Sequence, residues 1–414
     1  MNQPIYVLGG SQTDFAMNAA RQGLGLFELM RDAVTGALED AGLEASDIEA
    51  GHVGNFVGEL FTGQGQLGGM FEAIDPGFHG MPAGRHEAAC ASGSIALLAA
   101  SAEIEAGRYD CVLVTGVELE RNVPGALAAQ HLGAATWVGA EAQEAKYPWP
   151  YMFHLVGQEY ERRYGLRYEH LAGIAEINIT NARRNPLAQT RNWEFTPESF
   201  TADDTANPVI EGMIRRQDCG QVTDGAAAVI LASPAFAARW AQQHGCDLAD
   251  VPRIIGWGHR TAHLQLAAKL QRSAHDPYVF PHVRTAIQDA FRRAQIADVF
   301  ALDGIETHDC FTTTEYMAID HFGITPPGQS WQAVESGLIS ADGGLPINPS
   351  GGLIGAGHPV GATGVRMVLD AARQVTGRAG PTQVEGAKRF GTLNIGGSAT
   401  TVVSFVLEGS GSVR

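Results

Sequence analysis

The sequence predicts an α/β protein built from two related halves. Three observations carry this reading. Strand and helix patterns alternate along most of the chain. Their order in the first third returns in the last third. Each half also has one glycine-bearing turn leading into an apolar helix, "CASGSIALLAASAEI" and "GHPVGATGVRMVLDAARQV". With 414 residues the chain is too long for one simple core and implies two or three domains.

The elements follow in order. "IYVLGG" reads as a strand, and "LFELMRDAVTGALEDAG" has helical apolar spacing with Gly42 as its stop. "AGHVGNFVG" is a second strand, "SGSIALLAASAEIEAG" a helix ending at Gly107, and "CVLVTGVE" a buried strand. From about residue 121 to 219 the pattern changes to aromatic clusters ("YPWPYMFH") and helical stretches, which reads as an insertion. The α/β pattern resumes at "VTDGAAAVILAS". This divides the chain into a first half (1–120 with 220–252), an inserted region (121–219) and a second half (253–414). In the second half, "VRTAIQDAFRRAQI" followed by "ALDGIETHDCF" repeats the order of "LMRDAVTGALEDAGL" followed by "SDIEAGHVGNF". Duplication explains this order; a chance succession of α/β units is the alternative.

Composition narrows the function. The net charge of −17 offers no basic excess for nucleic acid or an anionic membrane surface. No apolar run is long enough to span a bilayer. The start "MNQPIYVLGG" reads as a strand rather than a leader, and the final "GSVR" carries no peroxisomal tripeptide. The five cysteines are odd in number and lack a CxxC pair, so neither a zinc site nor a disulfide framework is expected, and a reducing cytoplasm is.

Four stretches can carry chemistry. Cys90 lies where a polar run becomes an apolar helix. A helix N-terminus favours a thiolate and predicts a lowered pKa, while Ser92, Gly93 and Ser94 leave room for an acyl group. The plain alternative is a buried small side chain. His358 sits among Gly352, Gly355, Gly357, Gly361 and Gly364, where it can take a proton from a thiol or cap a turn. "HDCF" (308–311) ends a predicted strand, so His308 and Cys310 point to one face; no further ligand is spaced to make it a metal site. "NIGGSATT" (394–401 region) offers N–H groups for an oxyanion.

Together these stretches resemble the thiolase superfamily over nearly the whole chain. "CASGSIALL" resembles the nucleophile motif, "GGLIGAGHPVGATGVR" the histidine motif, and "VTDGAAAVIL" the "NDGAAA" strand. "GQEYERRYGL" is similar to the helix after the start of the inserted loop domain. The resemblance implies a five-layer α/β/α/β/α fold of two duplicated halves. It implies an acyl-CoA C-acyltransferase with CoA as co-substrate, no permanently bound cofactor and no metal, and a homodimer or dimer of dimers. Cys90 would carry the acyl group and His358 would activate it. The N–H groups of Cys90 and Gly396 would form an oxyanion hole. His154, in "MFH", would lie on the substrate side, and Arg162, Arg163, Arg183, Arg184, Arg215 and Arg216 are candidates for the CoA phosphates. Most thiolases have a second catalytic cysteine where this chain has Asn394, and "NEAF" where it has "HDCF". The sterol-carrier-protein-type thiolases share "HDCF". By that likeness Cys310 supplies the missing acid and base, and His308 replaces the asparagine of the enolate oxyanion hole. Two other readings remain: a decarboxylating condensing enzyme with one cysteine and two histidines, and a thiolase-like subunit that needs a partner protein.

Overall fold

A computed structural model describes residues 3–411. Its strands are β1 (Ile5–Gln12), β2 (Ala50–Gly54), β3 (Ala83–His86), β4 (Cys111–Glu118), β5 (Val209–Glu211), β6 (Ile214–Arg215), β7 (Gly225–Ala232), β8 (Arg253–Thr261), β9 (Gly304–Thr307), β10 (Arg389–Gly396) and β11 (Thr401–Glu408). Nine of them form a sheet of order β3-β2-β4-β7-β1-β8-β11-β10-β9, while β5 and β6 make a separate hairpin.

The duplication is visible in the pairing. Outward from β1 the neighbours are β7, β4, β2 and β3, joined antiparallel, antiparallel, parallel and parallel. Outward from β8 they are β11, β10 and β9, joined antiparallel, antiparallel and parallel. A single parallel bridge from Ile305 to Ile347 stands at the fifth place. The halves meet where β1 and β8 run antiparallel through Ile5–Ile254 and Tyr6–Arg253.

Helices complete the layers. Leu26–Ala41 buries an apolar stripe (Leu29, Met30, Ala33, Val34, Ala37) on the outer face of β1 and β7, and Gly42 ends it at φ 61°. Pro281–Ala294 does the same against β8 and β11 with Val283, Ala286, Ile287 and Ala290. Between the halves lie Ser92–Glu105 and Thr363–Gln374, packed on each other. Thr363–Gln374 touches β4 and β7 of one half and β9, β10 and β11 of the other, so the sheet folds over the two inner helices. The five expected layers are present.

Between β4 and β7 the chain leaves the large sheet and forms helices Gly125–Leu132, Pro148–Tyr164 and Tyr168–Ala182 with the β5–β6 hairpin. Phe153 and Phe311 stack with centroids 4.6 Å apart, seating this region on the second half.

The entrances of the inner helices come closer than any side chain permits. A Cβ on Gly116 would lie 2.3 Å from the Gly361 carbonyl oxygen, and one on Gly93 would lie 2.7 Å from it. A Cβ on Gly54 would meet the Gly93 Cα at 2.5 Å. Backbone atoms cannot yield as a flexible side chain can, so these three positions require glycine. Gly116→Ala is expected to destabilise the protein by about 1–3 kcal/mol in chemical denaturation. A change within about 0.5 kcal/mol, as for an ordinary surface site, would contradict this packing.

Candidate active site

Cys90 sits in a single 3₁₀ turn, Ala89–Ala91, just ahead of helix Ser92–Glu105. Its thiol opens on a cavity of about 420 Å³. The walls are mainly apolar and include Phe56, Leu132, Trp149, Phe153, Phe311 and Val360, with Cys310 and His358 beside Cys90.

The thiol is not the activated thiolate that its helix position predicts. Burial, with the nearby Glu120 and Glu118 carboxyls, pushes its pKa up to about 12. The N–H groups of Gly397 and of Cys90 itself act the other way without prevailing. Desolvation therefore outweighs the helix end. The sequence reading assigned the second N–H to Gly396. Gly396 is instead packed in β10, where a Cβ would lie 2.2 Å from the Ala88 carbonyl oxygen, and Gly397 faces the sulfur. The turn beyond Gly397 is held by buried Lys269, which donates to Ser398 Oγ at 2.8 Å and Thr400 Oγ1 at 2.9 Å; burial lowers its pKa to about 7.

His358 is placed by its backbone. Its N–H donates to Thr223 Oγ1 at 2.9 Å, and the neighbouring Val360 and Gly361 N–H groups donate to Glu120 and Glu118. Its Nδ1 lies 2.6 Å from Thr363 Oγ1. The Thr363 hydroxyl already donates to the Pro359 carbonyl, so it accepts from Nδ1–H. Nε2 then carries the lone pair, and it is buried without a partner. Burial and the Arg366 charge lower the His358 pKa to about 3, so the ring is neutral.

"HDCF" lies one step beyond its predicted place. β9 ends at Thr307, and residues 308–311 form the bend into helix Thr312–Phe322. His308 and Cys310 still reach the same site. One ring nitrogen each of His308 and His358 and the Cys90 sulfur lie within 4.8 Å of one another, and the rings stand edge to face at 5.3 Å. Cys310 is buried, with its thiol pKa raised by burial and by Cys90 beside it. Asp309 points away and accepts from the Leu353 and Ile354 N–H groups at 2.6 and 3.1 Å and from Asn178 at 2.9 Å. It thereby ties this bend to the loop carrying His358.

Cys90, His308 and His358 are also the donor set of a metal site, which residue spacing had not suggested. The positions 90, 308 and 358 meet only through the fold. The hydrogen bonding speaks against an ion. Asn394 Nδ2 lies 3.1 Å from His308 Nδ1 and donates to it, so the proton of this neutral ring is on Nε2, the nitrogen turned to the site. The set therefore lacks a third lone pair.

Other expected residues lie elsewhere. His154 Nδ1 accepts from the Met213 N–H at 3.2 Å and supports the β5–β6 turn; its neighbour Phe153 is the cavity wall. Met152 is buried in the core. Arg162 and Arg163 bind Glu159, Arg184 binds Asn181, Arg215 binds Asp204, and Arg183 is exposed. Of the six arginines, Arg216 lines the cavity. Glu120, which lines the cavity, and Thr363 were not singled out from sequence. Glu120 meets Val360 across 240 residues, which no local pattern marks, while Thr363 lies only five residues from His358 and was passed over as part of the helix entrance.

The sheet halves and a cysteine–histidine site between them define an acyl-transfer enzyme of one fold family. Residues 5–235 match the pattern described as "Thiolase, N-terminal domain" and residues 265–409 match "Thiolase C-terminal domain-like". The chain belongs to the thiolase family and is an acyltransferase. It is 33% identical over 408 residues to an acetyl-CoA acetyltransferase of Methanothermobacter thermautotrophicus, covering 98% of this chain and 99% of that one. It is 29% identical over 417 residues to human sterol carrier protein 2, covering 98% of this chain and 72% of the relative. A solved structure described as "Ltp2-ChsH2(DUF35) aldolase" matches with a TM-score of 0.77 at 19% identity over 98% of both chains, a likeness of fold. No described helix is long and apolar enough to cross a membrane.

With the Cys90 thiol near 12 and His358 near 3, the resting pair is neutral. The ultraviolet thiolate band, taken as wild type minus Cys90→Ser, is expected to show no step from about pH 6 to about pH 9. A step centred near pH 7 would show a thiolate–imidazolium pair instead.

Proposed function

We propose that this protein cleaves a 3-ketoacyl-CoA with CoA, or runs the reverse condensation, through an acyl group carried on Cys90. The observation that carries the proposal is the meeting of Cys90 with the bare Nε2 of His358, beside a second buried thiol at Cys310. The sulfur of Cys90 attacks the keto carbon while its proton passes to His358 Nε2. The N–H groups of Cys90 and Gly397 take up the charge forming on the keto oxygen. When the Cα–Cβ bond breaks, the acetyl-CoA enolate oxygen receives hydrogen bonds from the Nε2–H groups of His308 and His358. Cys310 gives its proton to Cα and becomes a thiolate.

The second half-reaction closes the cycle. The Cys310 thiolate takes the proton of incoming CoA, whose sulfur attacks the acyl carbon. Cys90 leaves and recovers its proton from His358, so every residue returns to its starting state. The apolar walls of the cavity suit a hydrocarbon acyl group, and Arg216 supplies a cation for the CoA side. The proposal places the protein in acyl-CoA degradation in the cytoplasm, as a homodimer. Its five unbridged cysteines agree with a reducing compartment.

One cysteine with two histidines also suits decarboxylative condensation. There the carbanion arises by loss of CO2 and needs no thiol acid, so a buried Cys310 beside Cys90 favours thiolysis. Following the 3-ketoacyl-CoA enolate band on addition of CoA tests the proposal. Wild type is expected to consume it and to show an acyl adduct on Cys90 by intact mass. Cys90→Ser is expected to lose at least about 10³-fold. Wild-type turnover by Cys90→Ser, or CO2 release from a malonyl thioester without thiolysis, would reject the reading. No adduct without an added protein would favour a partner-dependent subunit.

A further inference from the structure

His308 and His358 flank one thiol, yet their hydrogen bonds give them opposite polarity. Thr363 accepts from His358 Nδ1–H and leaves Nε2 bare. Asn394 Nδ2 donates to His308 Nδ1 at 3.1 Å and puts that ring's proton on Nε2. Both Nε2 atoms are buried, and neither has a protein partner.

We propose that Asn394 is a positioning residue that sets the tautomer of His308, making its Nε2–H a fixed donor to the substrate oxygen. The amide is held from its other end. Ser94 Oγ, on the helix that starts beside Cys90, donates to Asn394 Oδ1 at 2.8 Å. Gly364 presses on this pair: a Cβ there would lie 2.3 Å from Ser94 Oγ and 2.7 Å from Asn394 Oδ1. The amide is therefore packed as well as bonded, and all three residues are buried. An amide cannot relay a proton. Its use here is to offer N–H on one side and C=O on the other, which a carboxylate, a thiol or an alkyl group does not do. A bare Nε2 on His308 would face the enolate oxygen lone pair to lone pair. The ring's burial keeps it neutral, so its polarity depends on the tautomer alone.

The functional half of this proposal rests on the thiolysis reading, and the tautomer half does not. Nitrogen-15 spectra of histidine-labelled protein report which ring nitrogen of His308 carries the proton, with no turnover involved. In wild type, His308 is expected to be protonated at Nε2 and His358 at Nδ1. In Asn394→Asp the carboxylate only accepts, so His308 Nδ1 gains a proton. The Nε2–H donor then survives only in the imidazolium, and kcat is expected to fall roughly 10²-fold as pH rises past the new His308 pKa, with KM little changed. Wild type has no such limb. Protonation of His308 at Nδ1 in wild type, or an unchanged pH profile in a folded Asn394→Asp, would overturn the proposal. If the tautomers are as expected but wild type neither acylates Cys90 nor performs thiolysis, the reaction assignment fails and the tautomer assignment stands.

Discussion

The backbone contact at the centre of the molecule governs the rest. Gly361, at the entrance of one inner helix, lies against Gly93 and Gly116, and Gly93 lies against Gly54. No side chain separates these segments. Cys90 precedes the first helix and His358 the second, so the contact between the two entrances is what brings thiol and imidazole together. Glu118 fastens it, accepting from the N–H groups of Phe56, Val57 and Gly361 and from Asn55 Nδ2. Burial raises the Glu118 pKa to about 7, which the three backbone N–H groups and the Arg85 charge only partly offset.

The two halves contribute different chemistry to this junction. The first half brings Cys90, whose sulfur is met by the Gly397 N–H beyond the end of β10. His308 and Cys310 come from the end of β9, and Asp309 between them anchors their bend to the His358 loop. Neutral rings and high thiol pKa values follow chiefly from the removal of water around the site, with the Arg366 charge adding to the effect on the rings and nearby carboxyls to that on the thiols. In the proposed reaction, proton transfer is an exchange between neutral partners, and the hydrogen bonds to Thr363 and Asn394 give it direction.

Much of this was legible in the sequence, and the limits are physical. The inner helix Thr363–Gln374 stood out by its glycine-bearing entrance and helical apolar spacing, and strand β7 by its unbroken apolar run, the mark of a strand buried on both faces. The repeated order of units anticipated the matched strand pairing. Cys90, His308, Cys310 and His358 were recognisable as an ordered set that resembles the thiolases, whereas Cys90 and "HDCF" taken singly were weak signals. The thiol's ionisation was misread because a helix end is a local feature, whereas the burial and the two carboxyls that dominate it are tertiary. Gly396 was misplaced for Gly397 because a strand end settles which N–H turns inward only when the turn is built. His154 was taken for a substrate neighbour because adjacent residues on a helix face different ways, and Phe153 has the inward one.

The central claim is that Cys310, and neither Cys90 nor His358, moves the proton at Cα. Deuterium uptake at Cα of acetyl-CoA, measured in D2O alongside acylation of Cys90, tests this directly. In Cys310→Ala, Cα exchange should fall by roughly 10²-fold or more, and acylation of Cys90 by acetyl-CoA should slow as well, because Cys310 also exchanges the proton of the leaving CoA. Exchange at the wild-type rate in that variant would contradict the account.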